Sequence, residues 1–123
     1  MASTFNKSEV LVRELSASPG SFIAAVRFDL RWDSAKFSEL CKALQTATKE
    51  YVGLSDLPRD LSQLFWYCAT FIPMWVQQRD FATGQSHINY EKACYLLKRL
   101  GNAWFADDSL LGDDEFAAMM AAI

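Results

Sequence analysis

The sequence has no glycine-rich phosphate loop. Its five glycines stand apart from one another, whereas a phosphate cradle needs several close together. It has one histidine, His87, set in a polar loop. Its three cysteines, Cys41, Cys68 and Cys94, are odd in number and widely spaced. That pattern fits free buried thiols in a reducing cytosol rather than a disulfide framework. No paired spacing such as C-x-x-C suggests a metal site, and a site drawn from these cysteines and His87 would need three helices to converge. No Lys/Arg cluster offers a basic face to a nucleic acid. The start, MASTFNKSEV, lacks the apolar core of a signal peptide and the glycine needed for myristoylation. The longest apolar run, Leu64 to Val76, falls short of the roughly 20 residues that span a bilayer. Bases are also missing from the C-terminal end. Residues 1–99 carry all twelve Lys and Arg against ten acids, a net +2; residues 100–123 carry Asp107, Asp108, Asp113, Asp114 and Glu115 and no base, a net −5.

What is present is apolar and aromatic. Hydrophobic residues make up 51% and aromatics 14% of 123 residues, which excludes a disordered chain and gives enough material for one domain with its own core. That domain spans 1–123, with 1–7 as a loose start. Leu57 to Phe81 (LPRDLSQLFWYCATFIPMWVQQRDF) is the hub. Leu57, Leu61, Leu64, Phe65, Cys68, Phe71, Ile72 and Trp75 share one helical face. Trp66, Tyr67 and Met74 lie off that face, so the helix is apolar most of the way round. Ser55 or Asp56 is positioned to cap it and Pro58 fits its first turn. Pro73 removes one helical hydrogen bond and predicts a kink or break at Phe71–Ile72, leaving a long helix, a short continuation and a groove.

The other elements arrange around this helix. SEVLVREL predicts a short helix capped by Ser8, ended by the SASPGS turn, where Ser18 is a further candidate cap. Phe22 to Trp32 alternates with period two in its second half, yet Phe22, Ile23, Val26 and Leu30 form a helical stripe. The preferred reading is a helix at about Ser21 to Arg27 and an extended link to Asp33; the alternative is a strand paired with Val10 to Leu15 in a lone hairpin, an α+β fold. Asp33 caps a helix whose stripe runs from Phe37 to Val52, stopped by Gly53. Asn89 to Phe105 is a helix with Gly101 inside it, either a close helix contact or an early end. Glu115 to Ala122 is a short last helix capped by Asp113 or Asp114. The fold class is all-α, a bundle of four to six helices.

Each candidate for chemistry has a plainer reading. Cys94 and His87 would form a nucleophile pair only in one open pocket, but Cys94 lies on an apolar stripe. Asp107 to Glu115 has Gly112 where a calcium loop needs glycine, but Ser109, Leu111 and Ala118 break the ligand pattern. Asp29 and Asp33 flank Trp32 beside Arg27 and Arg31, which reads as a structural salt-bridge set rather than an acid–base pair. No catalytic residue, cofactor or metal is expected.

LPRDLSQLFWY, a later tryptophan and a tyrosine-rich helix ending in AWF resemble a pattern in small uncharacterised bacterial proteins. The resemblance covers Leu57 to Phe105. It implies no activity and carries over no functional residue.

The functional expectation is a non-catalytic, cytoplasmic protein-binding module. The first class is a bacterial immunity or antitoxin-type inhibitor of a basic partner toxin. Trp66, Tyr67, Met74 and Trp75 would be its anchors, and Asp107, Asp108, Asp113 and Asp114 would steer the encounter. A homodimeric adaptor using the exposed side of the central helix is the alternative. A small enzyme or ligand-binding domain with a pocket beside Pro73 is the third. Nucleic acid and membrane partners are not expected.

Overall fold

A computed structural model describes residues 8–78, 88–106 and 109–123. Within them the chain forms six helices and no strand: α1 (Glu9–Leu15), α2 (Phe22–Phe28), α3 (Ser34–Tyr51), α4 (Arg59–Val76), α5 (Tyr90–Phe105) and α6 (Asp113–Ala121). The all-α expectation holds, and the hairpin alternative is not seen. Phe22 to Phe28 is helical because its whole first turn and a half has a place in the core: Phe22, Ile23, Ala24, Ala25 and Val26 are all buried. A two-stranded hairpin has one face only to cover such a run. The period-two tail becomes the extended link, with Leu30 in the left-handed region at φ 51° and Trp32 turned into the core.

The starts of the helices follow the capping chemistry of their sequences in four cases. Side chains of Ser8, Ser21, Asp33 and Asn89 accept from the backbone N–H of Leu11, Ala24, Lys36 and Lys92, satisfying donors a helix start leaves orphaned. Ser21, not Ser18, caps α2. Two expected caps are corrected. Pro58 stands at the N-cap of α4 without a side-chain bond, and Asp60, one residue inside, accepts from the Leu61 N–H at 2.7 Å. Gly112 stands at the N-cap of α6, so Asp113 and Asp114 open that helix rather than precede it.

The helix α4 is the hub. Its broadest pairing is with α5; α1 and α2 pack on it as well, α3 packs on α5, and α6 lies on α5. Leu61, Leu64, Phe65, Cys68, Ile72 and Val76 are its buried face. Gly101 brings α5 close: a Cβ there would stand 3.3 Å from the Ala69 Cβ. Two ring clusters fill the core. Trp104 stacks on Phe65 at 4.5 Å, and its indole N–H donates to Ser62 Oγ at 2.9 Å. Trp32 packs against Phe22, Phe37 and Tyr90.

Pro73 lies inside α4, which runs unbroken from Arg59 to Val76. The expected break is absent because Pro73 is one turn from the C-terminus. It removes a single bond where few remain, and Ile72 and Val76, on either side of it, are anchored in the core. No helix among the described residues is long and apolar enough to cross a membrane.

Candidate protein-docking face

The side of α4 turned away from the core is apolar. Trp66 is 51% and Met74 53% exposed, with exposed Thr70 midway between them. Residues four apart stack along one helix face, so the three form a single row. Tyr67, Phe71 and Trp75 flank the row, each half-buried. The rings form a continuous surface. Trp66 meets Phe71 edge-on at 5.1 Å between centroids, and Tyr67 lies 5.2 Å from Phe71. Beyond them Phe71, Met74, Trp75 and Gln78 line a shallow hollow of about 270 Å³. The Thr70 hydroxyl is satisfied inside the helix, donating to the Trp66 carbonyl. From Leu61 to its end at Val76 the helix carries no charged side chain. The four predicted anchors, Trp66, Tyr67, Met74 and Trp75, are therefore brought together. Phe71, which the sequence stripe assigned to the core, belongs with them.

Other exposed apolar residues among those described include Val12, Val52, Leu54 and Leu110. Phe28, Tyr95 and Phe105 stand on different helices or at different ends, and single exposed apolar residues are normal on any surface.

The acidic residues sort differently. Asp107 and Asp108 lie outside the described residues, as does His87. Asp113 and Asp114 are exposed in the first turn of α6, where carboxylates complement the helix dipole. Asp113 pairs with Lys49 of α3, and Arg99 of α5 donates to Glu115 at 3.1 Å. The Lys49 ammonium, through its hydrogen bond and its charge, holds the Asp113 carboxyl below its ordinary range. Asp113 and Glu115 thus have a structural duty that the sequence did not disclose.

The sites weighed for chemistry are occupied with structure. Exposed Arg31 approaches the partly buried Asp33 at 4.0 Å while Asp33 caps α3, and Arg27 lies over the Phe28 ring at 5.4 Å. Cys41 and Cys68 are fully buried, and burial raises both thiols well above their usual range. Cys94 is half-buried rather than buried, because α5 turns it toward a hollow beside Pro73 that Tyr95 and Lys98 also line. Burial still pushes its thiol up to about 11, against the opposing pull of Lys98. A nucleophilic cysteine needs the reverse shift. Among the described residues no group of three or more His, Cys, Asp or Glu is placed to hold a metal ion.

One residue the sequence did not single out is Glu14, 1% exposed in α1. Its carboxylate accepts from the Phe22 N–H at 2.7 Å and the Ile23 N–H at 2.9 Å, and from Arg13 Nε and a terminal nitrogen at 3.1 and 2.9 Å. Arg13 also donates to Glu39 at 2.7 Å. With its charge engaged on every side, Glu14 joins α1 to the start of α2. No family model matches the chain, and neither any curated protein nor any solved structure matches it.

Proposed function

We propose that this protein is a non-catalytic binding module that docks a partner protein through the outer face of α4, in the manner of an immunity or antitoxin-type inhibitor. The observation that carries this reading is the joined ring surface of Trp66, Tyr67, Phe71 and Trp75 with Met74 beside it. Large rings bury much area while ordering few torsions, so they serve as anchors at the centre of interfaces. A polar group that would be costly to cover is lacking at the middle of the row, since Thr70 is already bonded internally. The raised thiols and the fully engaged Glu14 favour binding over catalysis.

The acidic C-terminal end suits a basic partner, such as a toxin, and supplies long-range steering. The tagged protein, used as bait in lysate of its source organism, should retain a basic protein identifiable by mass spectrometry. Trp66→Ala should weaken that capture by about 30-fold, the effect of losing one anchor worth about 2 kcal/mol. Charge reversal at Asp107, Asp108, Asp113 and Asp114 should slow association and flatten its salt dependence. Capture untouched by Trp66→Ala would remove α4 from the interface, and an unchanged on-rate after charge reversal would remove the steering role.

A further inference from the structure

The row on α4 is symmetric about Thr70. Trp66 stands four residues before it and Met74 four after; Gln63 and Gln78 close the two ends. The exposed indole of Trp66 is a knob on one side of the centre. The hollow lined by Phe71, Met74, Trp75 and Gln78 is a hole on the other. A knob and a hole at equal distances on opposite sides of one point make a face complementary to itself.

We infer that a second copy of this chain covers the face, with the two α4 helices antiparallel and a two-fold axis passing at Thr70. In that arrangement each Trp66 enters the partner copy's hollow beside Met74, where sulfur and ring make a favourable contact. This is an isologous interface, in which one patch meets itself. Three observations fit this occupant. The chain carries no charged side chain from Leu61 to Gln78, so two copies of an acidic chain bring no charge of their own α4 helices into that span. The residue at the crossing is small, which lets two helices approach to about 8–10 Å between axes. Its hydroxyl proton is donated within its own helix, so no donor is stranded on burial. Half-exposed Trp66 and Met74 with the partly exposed rings offer on the order of 400 Å² per copy, from aromatic side chains of about 150–250 Å² each. That is the low end of interface size and gives a weak dimer that forms with rising concentration.

The inference rests on reading α4 as an interaction face, and it adds that a partner must displace the second copy. Sedimentation of the full chain from about 1 to 500 μM tests it. The weight-average mass should rise from 13.9 kDa toward twice that value, and Thr70→Arg and Trp66→Ala should hold it at the monomer with an unchanged circular dichroism spectrum. Register is read by oxidative cross-linking. Thr70→Cys should link to itself, because position 70 meets position 70 within disulfide reach. Trp66→Cys should link to Met74→Cys in a mixture but not to itself, with the wild-type cysteines as control. A monomer mass throughout the range overturns the dimer. So does self-linking at position 66 with none at position 70. If the chain is monomeric while Trp66→Ala still abolishes partner capture, the dimer fails and the docking face stands. If the dimer forms and capture ignores both variants, the docking reading fails and the dimer stands.

Discussion

At the scale of single residues, Glu14 shows how position rather than identity sets a side chain's part. Glu9 and Glu14 belong to one seven-residue helix, yet one is exposed and the other lies against the first turn of α2. Three orphan donors of α2, at Phe22, Ile23 and Ala24, are met by Glu14 and Ser21. Removing the carboxylate leaves two buried N–H groups and the Arg13 guanidinium without it. Glu14→Ala should cost about 3–5 kcal/mol, the range for breaking a buried charged network, read as a fall in the urea midpoint at unchanged slope. Glu9→Ala should cost little, being exposed in the first turn. Equal midpoints for the two variants would sink the assignment. The sequence carried no signal for Glu14, because an acid in SEVLVREL reads as solvated until the turn after it brings a second helix start within reach.

At the scale of elements, the stripes of α3 and α5 were legible because polar and apolar residues alternate sharply at helical spacing. The segment Phe22 to Trp32 reads two ways because Arg27, Asp29 and Arg31 alternate with apolar residues across the end of α2 and the extended link after it, while Ser21 to Val26, all buried, show no polar face. Pro73 does not break α4, because the rule for helix interiors weakens where only one turn remains. Gly101 had two readings, and the close contact decides between them. A methyl there would stand 3.3 Å from Ala69 Cβ and 3.7 Å from the Phe65 carbonyl oxygen. Alanine gains about 1 kcal/mol of helix propensity over glycine, set against a small separation of α4 and α5. Gly101→Ala should therefore stay within about 1 kcal/mol of the wild type. Gly101→Leu should lose at least 1–3 kcal/mol by overpacking, on the order found for added core methylenes. Urea denaturation measures both, and a leucine variant as stable as the parent would show that the two helices do not need this approach.

At the scale of the whole molecule, the division of charge along the chain is bridged in space at two points. The basic part of the sequence sends Lys49 and Arg99 to the acidic end, where they meet Asp113 and Glu115. Gln45 donates to the Leu111 carbonyl at 2.9 Å, and the Asn89 N–H donates to Ile123 at 3.1 Å. None of the residues of α6 is fully buried; Phe116, Met119 and Met120 pack partly buried against the core, and the ion pairs and the two hydrogen bonds at its flanks add to that hold. This sets its response to acid. Asp113 and Glu39 are both held below their ordinary range, first by the hydrogen bonds from Lys49 and Arg13. A carboxylate depressed in the folded state stabilises fully above its unfolded value, near 4, and that contribution is lost as pH falls through the lower folded value. The urea midpoint should therefore fall between about pH 5 and pH 2, and Lys49→Met should make the fall shallower. Both carboxylates are solvent-exposed, so added salt should shrink the difference between the variant and the parent. The helical signal of α6 should weaken earliest on acidification, followed by amide exchange across Asp113–Ala121. Matching acid profiles for Lys49→Met and wild type would mean that the pair does not fasten α6, and that the acidic end is free for a partner from the outset.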